Sequence, residues 1–77
     1  MNYEEISQAI AKNQPFKHGG TMIGVLNQHN DRYTVWSYST VIFEENLTTG
    51  EKWLNPKKYS QTTSRQQNLI KRAKNLS

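Results

Sequence analysis

The apolar residues of this chain change their spacing twice, and that change limits the fold more than any single motif does. Tyr3, Ile6, Ala9 and Ile10 recur at the three- and four-residue steps of one helical stripe. Between Thr21 and Asn55 the runs are short, β-branched and aromatic, and polar or glycine-containing clusters interrupt them, as in strands joined by turns. From Thr62 onward the helical step returns through Gln66, Leu69, Ile70, Ala73 and Leu76. This order predicts an α+β fold: a small antiparallel sheet of three to four strands flanked by an N-terminal and a C-terminal helix, α-β-β-β-β-α. The 77 residues contain no cysteine. A single domain over 1–77 must therefore hold itself by packing, without disulfides or thiolate metal sites.

The first helix is expected over residues 3–12, with Asn2 and Glu5 spaced as a capping box and with Asn13 and Pro15 ending it. Phe16 pins the exit, and His18-Gly19-Gly20 reads as a flexible joint. Strands follow at Thr21–Leu26, where Gly24 hints at a bulge, and at Arg32–Tyr38, where Tyr33, Val35 and Ser37 alternate with Thr34, Trp36 and Tyr38. A third strand, Thr40–Glu45, points Val41 and Phe43 one way and Ile42 the other; Tyr33 and Phe43 are assigned to the core. Leu47-Thr48-Thr49-Gly50 turns into a short last strand, Glu51–Asn55, which Pro56 ends. In the second helix Ser64 is the expected N-cap and Gln67 its reciprocal partner, with the helix running to about residue 75.

Charge is polarised along the chain. Lys52, Lys57, Lys58, Arg65, Lys71, Arg72 and Lys74 face a single acid, Glu51, in the last third, whereas Glu4, Glu5, Asp31, Glu44 and Glu45 outnumber Lys12, Lys17 and Arg32 before it. Crowding like charge costs a small fold stability unless an anion meets it, although Lys71, Arg72 and Lys74 also complement the dipole at a helix C-terminus. The segment from Lys57 to Arg65 places Lys58, Tyr59, Ser60, Thr62, Thr63 and Ser64 ahead of a helix N-terminus, where unpaired N–H groups accept phosphate or carboxylate. The plainer alternative is that these hydroxyls cap the helix and the lysines are solvated. Trp36, Tyr38 and Trp53 are either core or an aromatic platform on the sheet against which bases stack.

No residue set reads as catalytic. Glu44 and Glu45 are adjacent on a strand and face opposite ways, which makes them edge charges that aid solubility. His18 and His29 are separated by a strand, and a metal site built from them plus Asp31 would need loop ends to converge, so no metal and no cofactor is expected. The acidic start, Met1-Asn2-Tyr3-Glu4-Glu5, is unlike a secretory signal, and no apolar run reaches the roughly 20 residues of a membrane span. A cytoplasmic protein without a membrane partner is the expectation, with an exposed edge strand able to pair two copies as a homodimer.

Three stretches carry a resemblance: Val35-Trp36-Ser37-Tyr38-Ser39-Thr40-Val41-Ile42, Trp53-Leu54-Asn55, and Tyr59-Ser60-Gln61-Thr62-Thr63-Ser64-Arg65-Gln66-Gln67. Over about residues 33–73 the chain resembles a family of small phage or prophage proteins of uncharacterised function, which share the pattern Tyr-Ser, Thr-Thr-Ser, Gln ahead of a basic helix. Ser39 and Gln66 stand where that family has glycine and histidine. The resemblance implies a phage origin and a host-cell cytoplasm, and it brings no activity. Together these readings predict a non-catalytic phage accessory protein that binds DNA or RNA through Lys52, Lys57, Lys58, Tyr59, Ser60, Thr62, Thr63, Ser64, Arg65, Lys71 and Arg72, with Trp36 and Trp53. The alternative is a counter-defence, anti-CRISPR-like inhibitor of a host protein or ribonucleoprotein.

Overall fold

The computed structural model describes residues 2–57 and 61–76, the Thr62 side chain excepted. Helix α1 (Tyr3–Ala11) starts on the expected capping box: the Glu5 amide donates to Asn2 Oδ1 at 2.8 Å, and the Asn2 amide donates to Glu5 Oε1 at 3.3 Å. Ile6, Ala9 and Ile10 face inward. Asn13, at φ 56°, turns the chain out of the helix, since asparagine tolerates the left-handed region better than most residues.

Five strands then follow as an antiparallel meander in the order β1-β2-β3-β4-β5: β1 Phe16–His18, β2 Met22–Leu26, β3 Arg32–Ser37, β4 Thr40–Asn46 and β5 Lys52–Leu54. The α+β class and the helix-sheet-helix order agree with the sequence reading. The sheet gains β1 because Phe16-Lys17-His18 pairs with Gly24-Ile23-Met22, so the expected joint at His18 is the end of a strand, and the turn is made by residues 19–21, with Gly19 at φ 56°. Both edge strands are three residues long, which leaves little unpaired backbone for a second copy to join.

The bulge expected at Gly24 lies elsewhere. Val35 pairs with Phe43 but Trp36 pairs with Val41, so Ile42 is the extra residue of β4. This shift brings Ile42 and Phe43 to the core together, where strict alternation would have separated them. Gly24 instead sits flat between β1 and β3. A Cβ there would fall 2.6 Å from both Phe16 Cδ1 and Tyr33 Oη, so glycine is what lets the Phe16 ring and the tyrosine hydroxyl cross β2.

Helix α2 (Gln61–Ala73) packs with α1 on one face of the sheet. Between them lie Ile6, Ile10, Met22, Val35, Ile42 and Phe43, with Tyr33 fully buried and donating from its hydroxyl to the Gln14 carbonyl at 2.8 Å. Burial, and secondarily the nearby Glu45 carboxylate, holds the Tyr33 phenol well above the usual tyrosine range.

Glu45 is buried, contrary to the edge-charge reading, because β4 is an interior strand and Glu45 follows Phe43 onto the helix-covered face. Lys74 answers it. The ammonium lies 2.8 Å from Glu45 Oε1, as an ion pair outside hydrogen-bonding angles, and donates to Asn13 Oδ1 just past the end of α1. It also stands 5.8 Å from the Tyr33 ring centre and 6.0 Å from that of Phe43. One of the seven C-terminal bases is therefore part of the interior.

Two stability measurements check this packing. Gly24→Ala should cost about 1–3 kcal/mol by overpacking, read from urea unfolding. Lys74→Met should cost about 3–5 kcal/mol because it strands the Glu45 carboxylate, and adding Glu45→Leu should recover most of that loss. With Glu45→Leu also measured alone, losses that simply add in the double variant would show that the pair is not coupled.

Candidate nucleic-acid interface

Helix α2 carries six of the thirteen expected site residues, and its inward side decides which of them remain available. Ile70 is its one fully buried apolar side chain among the described residues, worth about 1.5–3 kcal/mol of burial. The rest of that side is polar and hydrogen-bonded. Ser37 Oγ donates to Gln66 Oε1 at 2.5 Å, which leaves Thr63 Oγ1 to donate to Ser37 Oγ at 3.2 Å. Gln66 Nε2 reaches the Thr21 carbonyl at 3.4 Å, and Gln67 Nε2 donates to the carbonyls of Asn55 and Lys57 at 2.8 and 3.2 Å.

These bonds correct the reading of the helix start. The helix begins at Gln61, so Ser64 lies inside it, half-buried, and Gln67 ties the helix to the segment after β5 instead of closing a capping box. Turning Thr63, Gln66 and Ile70 toward the sheet requires regular helix through Ser64. Thr63 is thereby removed from any solvent-facing anion cradle. Lys58, Tyr59 and Ser60, and the Thr62 side chain, lie outside the described residues.

The outward side of α2 is basic. Arg65, Asn68, Lys71 and Arg72 are exposed, and no ion pair to a carboxylate engages Arg65, Lys71 or Arg72 among the described residues. Arg65 and Arg72 are two helical turns apart, roughly 10.5 Å along the axis. With Asn68, Leu69 and the half-exposed ring of Tyr3 they line a groove of 260 Å³ between the helices. Lys71 lies on the other flank of the same ridge, beside Asn55, Pro56, Ser64 and Gln67. Tyr3 and Asn68 were not among the residues expected from sequence. Asn68 could have been found from its spacing, midway between Arg65 and Arg72 on one face, whereas Tyr3 comes from the other end of the chain.

The remaining bases divide. Lys57 is exposed beyond β5. Lys52 turns to the helix side of the sheet, where its ammonium donates to the Gly50 carbonyl at 3.2 Å and stands 4.0 Å from Glu45 Oε2.

Trp36 and Trp53 are both exposed, at 37% and 46%, which places them on the surface. Val35 and Ser37 on either side of Trp36 face the helices, so Trp36 projects from the opposite, open face. Trp53 pairs with Glu44, which lies between inward-facing Phe43 and Glu45, and therefore projects the same way. Tyr38 leaves the strand at φ 55° in the turn to β4. The sheet thus separates the tryptophans from the cations of α2. The single surface that the sequence suggested is two surfaces on opposite layers.

No three His, Cys, Asp or Glu side chains cluster as metal ligands among the described residues; His18 lies half-buried with its ring 6.0 Å from that of Tyr3, and His29 is exposed in the turn before β3. No described helix is long and apolar enough to cross a membrane.

Because the polar side of α2 aims its basic side, Gln66→Leu should cost about 1–3 kcal/mol in thermal or urea unfolding by leaving the Ser37 hydroxyl and the Thr21 carbonyl short of a partner, while Gln66→Glu, which keeps an acceptor at that position, should cost less at low pH than at neutral pH. Comparison with family models, with curated proteins and with solved structures returned no match for the chain.

Proposed function

We propose that this chain is a small non-catalytic, phage-type accessory protein that binds nucleic acid in the host cytoplasm, with the outward face of α2 against the phosphate backbone. The observation that carries the reading is the exposed side of α2, where Arg65 and Arg72 line one flank and Lys71 the other, with no carboxylate paired to them among the described residues. Unpaired like charges on one helix raise the local positive potential, and a polyanion relieves it. Guanidinium groups suit a phosphate partner because each can hold two phosphate oxygens at once. Asn68 between them supplies an uncharged donor to the same backbone.

Exposed side chains of this kind contribute little to folding, so their removal isolates binding. Arg65→Ala, Lys71→Ala and Arg72→Ala combined should leave the melting temperature nearly unchanged and abolish the gel shift of oligonucleotides at low salt. In titrations where residual binding is measurable, the slope of log K against log salt should fall by about 2–3. Unaltered binding by the triple variant would overturn the assignment to α2. Affinity purification from infected cells, with and without nuclease, separates this reading from the inhibitor alternative: recovery of nucleic acid supports it, and a nuclease-resistant stoichiometric complex with a host protein would replace it.

A further inference from the structure

The open face of the sheet has no element packed on it among the described residues, although two large aromatic side chains project from it. Register places Lys17, Ile23, Trp36 and Val41 in one row across β1 to β4, and Val25, Thr34, Glu44 and Trp53 in the next across β2 to β5. Ile23 and Val41, both half-buried, are the cross-strand neighbours of Trp36 on either side, and the indole is left partly open. Trp53 stands at the β5 edge, where Arg32, Glu44 and Glu51 line the adjoining cleft.

We infer that this face is a base-stacking platform for single-stranded nucleic acid, with Trp36 and Trp53 each taking one base. The inference rests on the nucleic-acid reading of α2 and narrows it to single strands, because the bases of a duplex are stacked on each other and present no free ring face. Two strand spacings across the sheet and two residues along it separate the tryptophan backbones by roughly 12 Å, too far for both indoles to sandwich one base. They therefore act on two separate bases.

Charge on the face sets the orientation. Glu44 and Glu51 beside Trp53 repel phosphates and accept from base N–H groups, so bases turn toward the sheet at that end. Lys17, in the row of Trp36 at the other edge of the sheet, supplies the positive charge that the backbone needs, while Arg32 lines the same cleft as Glu44 and Glu51 and offsets part of their charge. A surface made for an apolar protein partner would not place two carboxylates beside its largest aromatic side chain. The molecule measures 24 and 22 Å across its shorter axes. A strand long enough to pass the β5 edge, where Lys57 is exposed, reaches both the indoles and α2, so affinity rises in a step with oligonucleotide length.

The chain has two tryptophans and both lie on this face, so indole emission, excited beyond the tyrosine absorption, reports the platform alone. The test uses fluorescein-labelled oligothymidylate, by itself and annealed to oligoadenylate, with anisotropy for binding and indole emission for stacking. The single strand should quench indole emission and the duplex should not. Trp36→Ala and Trp53→Ala should each weaken single-strand binding by roughly 5- to 150-fold, and the two losses should multiply in the double variant because the sites are independent. Trp36→Phe and Trp53→Phe keep an aromatic face in a smaller ring and should retain most of the affinity, which separates stacking from a loss of fold.

Anisotropy showing tight single-strand binding with unchanged emission and unaffected tryptophan variants would overturn the platform and leave the α2 reading standing. Absence of binding by either form at low salt would overturn both. A dimer in sedimentation that the double tryptophan variant dissolves would assign the face to a second copy and overturn the platform.

Discussion

The interior ion pair between Lys74 and Glu45 governs how the layers meet. One ammonium touches β4 through Glu45, the end of α1 through Asn13, and the rings of Tyr33 and Phe43, so the last described turn of α2 is fixed against three elements at once. Two charges taken out of water have to be compensated locally, and the asparagine oxygen and the aromatic faces supply what the carboxylate alone does not. With Lys74 fixed inward, helical periodicity turns Arg65, Lys71 and Arg72 outward. The same cluster of bases thus contributes one residue to folding and three to the surface.

Helix α2 needs that anchor because its sheet-facing side is poor in apolar atoms. Thr63, Gln66 and Gln67 bury polar groups that gain little by leaving water and lose heavily if unpaired. Their bonds to Ser37, Thr21 and Asn55 are directional, and direction is what a greasy stripe lacks. A helix seated this way has its rotation set by geometry, so the orientation of the outward cations is a property of the core.

The sequence showed the elements more clearly than their relations. Capping at Asn2 and Glu5, the alternation of Tyr33, Val35 and Ser37, and the helical step through Gln66 and Ile70 are local patterns, and the structure follows them. The first edge strand was invisible because three residues ending at a histidine carry no period, and Phe16-Lys17-His18 becomes a strand only beside Met22-Ile23-Gly24. The bulge at Ile42 and the burial of Glu45 depend on which strands are neighbours, information that no window of sequence holds. For the candidate interface, the exposed ridge of α2 could be read from spacing. The opposition of Trp36 and Trp53 to that ridge could not, because it follows from which side of the sheet the helices cover.

Each strand in this meander lies beside the one that precedes it in the chain, so every hairpin closes over a short loop and the entropy of pairing is small. The α2 contacts are different: Ser37 to Gln66 and Glu45 to Lys74 each join residues 29 positions apart. Sheet assembly is thus a sequence of near-neighbour steps, and capture of the terminal helix is the non-local event that completes it. During synthesis α1 and the sheet leave the ribosome first, and the part of the face that α2 covers stays open until residues 61–76 follow.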